Sequence, residues 1–314
     1  MTIRWQALVL TLIILVSASV TRVNSNNKKA KALAEEKNSE VSLKSSADFA
    51  YERANVLESL NPRKGPLRNW EVLDPTVHSE ALLVQSLDDQ FPFFYYNTYK
   101  NWPIASITKF LSALVVLEDV GVNKKITIDK AAVLTEGEAG NLKEGEIYSA
   151  EDLLKIMLLT SSNDAATAFE NFLGKDEFIR LLNKKARDIG MNETILFDAS
   201  GLSPLNESSA SDLMILARYL LQKNPEVFNW TRLSSFLVQP TNRTEGRLVL
   251  NINGLQERRD YLGGKTGTSD AAQENLLAIF SLNNRKVLMI ILGSRNRLTE
   301  VDNLLNWVSR AYTF

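Results

Sequence analysis

Ser106 and Lys109 stand three residues apart in Pro103-Ile104-Ala105-Ser106-Ile107-Thr108-Lys109. On a helix that spacing puts both side chains on one face, an amine within reach of a hydroxyl. One short segment then supplies a nucleophile and the base that takes its proton. The spacing alone is common, and Ser25-Asn26-Asn27-Lys28 repeats it in a polar stretch with no helical signal. Context separates the two. Ile107, Phe110, Leu111, Leu114 and Leu117 follow Ser106 as an apolar stripe at helical spacing. A helix beginning there surrounds Ser106 with free backbone N–H groups, which favour developing negative charge.

Two further motifs carry polar chemistry. Ser161-Ser162-Asn163 falls between two expected helices, so its side chains can project from a loop into a cleft. Gly263-Gly264-Lys265-Thr266-Gly267-Thr268 ends an extended run whose glycines let backbone approach a ligand closely. Ser161 follows Ser106 by 161 − 106 = 55 positions, and Lys265 follows Ser161 by 265 − 161 = 104. Ser-x-Asn by itself is noise, since Ser25, Ser281 and Ser294 also begin copies, but Lys-Thr-Gly occurs once.

The rest of the chain must position these groups. Its 314 residues are 45% hydrophobic and 23% charged, enough for a full core. With 36 basic against 37 acidic residues the formal charge is −1, and no basic face or run suggests a nucleic-acid partner. There is no cysteine, which excludes disulfides and thiol chemistry. The single histidine, His78, leaves a Ser-His-Asp triad one candidate and two-histidine metal motifs none. It reads as a surface or strand-edge residue, and no metal or other cofactor is called for.

Trp5 to Val20 is almost wholly apolar, with Arg4 before it, small residues at Val16-Ser17-Ala18 and basic residues after it. Residues 1–24 are therefore expected to be a signal peptide or an N-terminal membrane anchor. Residues 25–65 read as a polar linker, with a frayed helix around Ala30 to Lys37. Residues 66–314 read as the globular domain. Ala81-Leu82-Leu83-Val84 and Phe93-Phe94-Tyr95-Tyr96 predict a hairpin about Asp88-Asp89-Gln90. Ser149 with Asp152 opens a helix through Leu159, another runs from Asp164 to Gly174, and a third from Asp176 to Ile189 is closed by Gly190. Ser209 with Asp212 opens a helix through Leu221. After Pro225 strands are expected over 236–238, 247–252, 261–268, 276–282 and 286–292, the last two joined at Asn283-Asn284-Arg285. A final amphipathic helix covers Thr299 to Tyr312. Strands at both ends with helices between predict an α/β chain of the α+β kind: one antiparallel sheet closed by distant segments and flanked by helices, with a helical subdomain.

Ser-x-x-Lys, Ser-x-Asn and Lys-Thr-Gly in this order form the motif set of β-lactamases and penicillin-binding proteins. From Val77 to Phe314 the chain resembles the serine-type D-alanyl-D-alanine carboxypeptidases, the low-molecular-mass penicillin-binding proteins. The resemblance extends to Thr135-Glu136-Gly137 through Gly140-Asn141-Leu142, to Glu151-Asp152-Leu153-Leu154, and to Gly190-Met191 through Phe197 and Gly201-Leu202. It implies a β-lactamase/transpeptidase-like fold in an exported protein of the bacterial cell envelope. It also implies an enzyme that removes the terminal D-Ala of peptidoglycan stem peptides and is acylated by β-lactams. Ser106 would be the acylated nucleophile, Lys109 its base, and Ser161 a proton relay to the leaving amine. Asn163 would hold the substrate backbone and Lys109, and Lys265 would supply positive charge. Thr266 and Thr268 would bind the terminal carboxylate beside Gly267, and the N–H groups of Ser106 and Thr268 would form the oxyanion hole. A lysine serves as a base only when neutral, which burial and a second cation favour.

Ala271-Ala272-Gln273 departs from the Ala-Gly pair that often follows Lys-Thr-Gly in the family, which bears on the turn beside the cleft. The chain ends before the C-terminal β-rich domain of many relatives, so anchoring is expected at the N-terminus. Arg297 either corresponds to a carboxylate-binding arginine of some relatives or is a surface residue. An endopeptidase cutting D-Ala cross-links would use the same machinery. A catalytically idle wall-binding or β-lactam-sensing module is the alternative of a different class. A β-lactamase fits less well, because Glu193 with Leu196 is followed by Phe197 where a deacylating motif carries Asn.

Overall fold

A hairpin of Ala81–Ser86 (β1) and Pro92–Tyr96 (β2) and a later meander of Tyr261–Ser269 (β3), Gln273–Leu282 (β4) and Arg285–Ser294 (β5) form one antiparallel sheet. Its order is β3-β4-β5-β1-β2, so the two ends of the chain are joined where Ala81–Ser86 pairs with Val287–Leu292. The computed structural model describes residues 65–137 and 140–314. The expected apolar N-terminal segment and polar linker lie outside the described residues, and a compact unit begins at Gly65. No described helix is long and apolar enough to cross a membrane.

The strands read as continuous apolar runs because both faces of the sheet are covered. Leu83, Leu277, Ile279, Leu288 and Ile290 face a large helical layer. Their neighbours Leu82, Leu276, Ala278, Val287 and Met289 face Val301, Leu304, Trp307 and Val308 of the C-terminal helix. That alternation follows the two-residue period of a strand. The turn between β4 and β5 holds Asn283 and Asn284 at φ 50° and 62°, the left-handed pair a two-residue hairpin requires.

The longer helices are Thr108–Val115 (α1), Ala150–Leu159 (α2), Asn163–Leu173 (α3), Lys175–Ile189 (α4), Ala210–Lys223 (α5), Glu226–Arg232 (α6) and Arg297–Ala311 (α7). Caps explain most starts: Ser149, Ser162, Ser209 and Asn296 each accept a hydrogen bond from an N–H of the first turn. Gly190 closes α4 at φ 94°, ψ 17°. Two expectations are corrected. The strand-rich region after Pro225 begins with α6, which starts on Pro225 because a proline suits a first turn that needs no N–H. The strand expected over 247–252 ends at Leu250, where Asn251 turns inward and donates to the Thr231 and Leu233 carbonyls.

Candidate active site

Ser106 sits in a single 3-10 turn, Ala105–Ile107, that leads into α1. The turn is strained: Ala105 holds φ 46°, a conformation a β-carbon disfavours. Glycines make the strain possible. A β-carbon on Gly201 would lie 2.0 Å from the Ala105 carbonyl oxygen, and one on Gly267 would lie 2.6 Å from that of Ile104. Backbone from two directions is thus packed against the nucleophile's turn.

Lys109 points from the first turn of α1 into the interior and is fully buried. Its Nζ lies 2.9 Å from Ser106 Oγ, 2.7 Å from Asn163 Oδ1 and 2.6 Å from the Ser200 carbonyl oxygen. A neutral amine has two N–H donors and one lone pair. Asn163 and Ser200 can take the two donors, which leaves the lone pair for the Ser106 hydroxyl.

Ser161 is the loop residue before α3 and adopts φ 57°, which turns its side chain inward. Its Oγ accepts from Lys265 Nζ at 2.9 Å, and Lys265 also donates to the Thr266 carbonyl at 2.8 Å. Both lysine side chains are nearly inaccessible, Lys265 at 3%. Asn163 is held from its other end, where Nδ2 donates to the Glu136 carbonyl at 2.9 Å. Ser106, Gly137, Asn163, Gly201, Leu202, Thr268 and Ser269 line an open cleft of about 390 Å³.

Thr268 lies at the exposed end of β3, and Arg297 Nη1 donates to its hydroxyl at 2.7 Å. Arg297 opens α7, and its burial pushes the guanidinium below its ordinary value against the opposing charge of Glu274. The arginine thus reaches a residue that lines the cleft. Ala272, in the departing turn, is buried and accepts from Trp102 Nε1 at 2.9 Å. His78 and Glu193 are exposed, and each engages a neighbouring carboxylate through its backbone N–H, Glu300 and Asp212 respectively.

Three carboxylates that sequence reasoning missed hold this arrangement. Asp198 accepts from the N–H groups of Ser200, Gly201 and Ser203 and from Ser200 Oγ, shaping the turn whose Ser200 carbonyl meets Lys109. Glu170 accepts from Ala199 N–H at 2.6 Å, and its burial raises the carboxyl above the usual range. Asp164 accepts from Gly140 and Leu142, pinning the segment that carries Gly137 beside Asn163. The available signal was position, since Asp164 adjoins Ser-x-Asn and Asp198 precedes Gly201-Leu202.

A serine on a strained turn against a buried lysine, under an antiparallel sheet with a helical layer, defines the penicillin-recognising fold of serine acyl-transfer proteins. The D-alanyl-D-alanine carboxypeptidase family profile matches residues 76–296, and the chain belongs to that family. It is 31% identical over 194 residues to D-alanyl-D-alanine carboxypeptidase DacB2 of Mycobacterium tuberculosis, covering 60% of this chain and 66% of that protein. It is 36% identical over 183 residues to a D-alanyl-D-alanine endopeptidase of Haemophilus influenzae, covering 56% and 62%. The chain thus spans just under two thirds of these curated relatives. The Streptomyces K15 DD-transpeptidase superposes with a TM-score of 0.70 at 22% identity, over 75% of this chain and 98% of that one. A crystallised M. tuberculosis D-alanyl-D-alanine carboxypeptidase superposes with 0.69 at 24%, over 77% and 95%.

Proposed function

We propose that this protein is a serine D-alanyl-D-alanine carboxypeptidase that removes the terminal D-Ala of peptidoglycan stem peptides through a Ser106 acyl-enzyme. The observation that carries this reading is Lys109 Nζ, buried and bonded at once to Ser106, Asn163 and the Ser200 carbonyl. Lys109 takes the Ser106 proton as Oγ attacks the penultimate D-Ala carbonyl. The N–H groups of Ser106 and Thr268 bind the oxyanion, a contribution of about 2.7–4 kcal/mol per donor. The C–N bond then breaks as the Ser161 hydroxyl, held by Lys265, gives its proton to the departing D-Ala amine and takes up the one Lys109 received from Ser106, so that Lys109 is neutral again. Water, deprotonated by Lys109, hydrolyses the ester and restores Ser106. Thr268 and Arg297 hold the substrate's terminal carboxylate, with Thr266 and Gly267 shaping the strand beside it. Penicillins present a similar acyl group and carboxylate and acylate the same serine.

The H. influenzae relative favours a second reading, cleavage of D-Ala cross-links by the same groups. Export to the cell envelope through residues 1–24, as a cleaved signal or a retained membrane anchor, is part of the proposal and rests on the apolar run Trp5 to Val20. The test is D-alanine release from diacetyl-Lys-D-Ala-D-Ala by the full chain beside Ser106→Ala. Release that vanishes in the variant supports the carboxypeptidase. No release, with penicillin still acylating the protein, shifts the reading to cross-link cleavage or to a sensing module.

A further inference from the structure

Asn275 breaks into the apolar run of β4 with a polar side chain that is fully buried. Its carboxamide spans two segments. Nδ2 donates to the Pro103 carbonyl at 2.8 Å, and Oδ1 accepts from the Gly293 N–H at 2.8 Å. The partners fix its orientation, since a carbonyl only accepts and a backbone N–H only donates. An acceptor is needed there because β5 bulges. Glu274 pairs with Ser294 but Leu276 with Ile291, so Leu292 and Gly293 together face Asn275. Gly293 holds φ 69°, and a β-carbon on it would lie 2.8 Å from Trp102 Cε2. The bulge thus admits the Trp102 indole, whose Nε1 donates to the Ala272 carbonyl at 2.9 Å. Hydrogen bonds in both directions therefore tie Trp102–Pro103 to the start of β4.

Pro103 and Ile104 lead directly into the turn that carries Ser106. On the neighbouring strand Gly267 is in register with Asn275, so the two residues share one face of the sheet. That face meets the turn. A β-carbon on Gly267 would lie 2.6 Å from the Ile104 carbonyl oxygen and 3.2 Å from Ser106 N. Gly267 lets the turn come close to β3, and Asn275 keeps it from drifting away. We propose that Asn275 is a positioning residue for acyl transfer: its carboxamide holds the nucleophile's turn against β3 and so sets the spacing of the Ser106 and Thr268 N–H groups. This role rests on the function proposed above, in which those two groups bind the oxyanion. Asn275 is not among the residues lining the cleft, so its loss spares the contacts of a bound ligand and acts where negative charge develops. Its loss also strands a buried N–H and a buried carbonyl, a stability cost that any buried amide would share. Kinetics separates the two effects.

The test compares the full chain with Asn275→Leu, which keeps the volume and removes both bonds, and with Asn275→Ser, whose hydroxyl is too short to reach both partners. Each protein is measured well below its own melting midpoint. Rapid-quench intact mass after mixing with benzylpenicillin separates the dissociation constant of the noncovalent complex from the acylation rate constant. The rate constant falls by about 10²-fold in both variants, with the dissociation constant within about threefold of wild type. An acylamidomethylboronic acid, whose tetrahedral adduct on Ser106 sets an oxygen on the same N–H groups, binds more weakly by a similar factor. A rate constant within about threefold of wild type, an unchanged boronate affinity, or a loss confined to the dissociation constant overturns the role and leaves Asn275 structural only. Where Asn275→Leu does not fold, Asn275→Ser decides. Wild-type protein that reacts with neither penicillin nor boronate overturns the function proposed above, and the role of Asn275 with it. Wild-type reactivity with unchanged variants overturns the role of Asn275 alone.

Discussion

Gly267→Ala places one methyl group between β3 and the nucleophile's turn. The added β-carbon would lie 2.6 Å from the Ile104 carbonyl oxygen, 3.2 Å from Ser106 N and 3.3 Å from Ala105 Cβ. All three contacts belong to the turn that presents Ser106, so no flexible side chain can yield. Ordinary contact begins at 3.4 Å, so strand and turn must separate by 3.4 − 2.6 = 0.8 Å. Thr268 follows Gly267 directly, and the separation widens the gap between the two N–H groups assigned to the oxyanion. A misplacement near 1 Å costs about 10²-fold in rate, and loss of one oxyanion donor about 10²–10³-fold. Overpacking costs roughly 1–3 kcal/mol, which lowers the melting temperature by about 2–12 °C in a unit of this size. The assay is the second-order rate of acylation by a fluorescent penicillin, followed beside a thermal melt. We expect acylation slower by about 10²-fold with cooperative unfolding retained. Acylation within about threefold of wild type, with an unchanged melt, refutes the packing argument.

Lys109→Met removes the base while keeping an unbranched chain, and acylation falls by about 10³-fold or more, measured with the same penicillin. Arg297→Ala removes the donor to Thr268 Oγ1, and kcat/KM for D-Ala-D-Ala peptides falls roughly 10–100-fold, mainly through KM in steady-state D-alanine release. Asp198→Ala strips the turn behind Ser200 of its acceptor, lowering stability by about 2–4 kcal/mol in urea unfolding and slowing acylation. Glu170 binds its proton more tightly in the folded chain than at the ordinary value of 4.5, with burial as the main cause. Its contribution to stability is full below 4.5 and is lost as pH rises through the higher folded value. Glu170→Gln keeps an acceptor for Ala199 N–H without that loss, so its melting temperature gains on wild type as pH rises from 4 to 7.

The chemistry of this chain is legible in sequence because each group lies in a dense local signal. Ser106 precedes an apolar stripe, Ser161 lies between two capped helices, and Lys265 lies in a glycine-rich strand. The Asn283-Asn284 hairpin and the Gly190 cap follow from backbone preference alone. Helix α6 is hidden because seven residues are too few for a periodic pattern, and Pro225 reads equally as a stop or a start. The Ala105 strain is invisible locally, since the packing of Gly201 and Gly267 across the fold permits it. Asp164, Asp198 and Glu170 act on backbone N–H groups of other segments, a pairing no spacing rule reports. In sequence Arg297 reads equally as a carboxylate-binding arginine or a surface residue, and only the fold shows that α7 begins on it, with its guanidinium on Thr268 near the end of β3.

The most direct test is peptide mapping of the protein after brief exposure to benzylpenicillin, in wild type and Lys109→Met. The account predicts a penicilloyl ester on Ser106 alone, formed rapidly in wild type and scarcely at all in the variant. An adduct on Ser161 or another side chain, or equally fast labelling of Ser106 without Lys109, contradicts it.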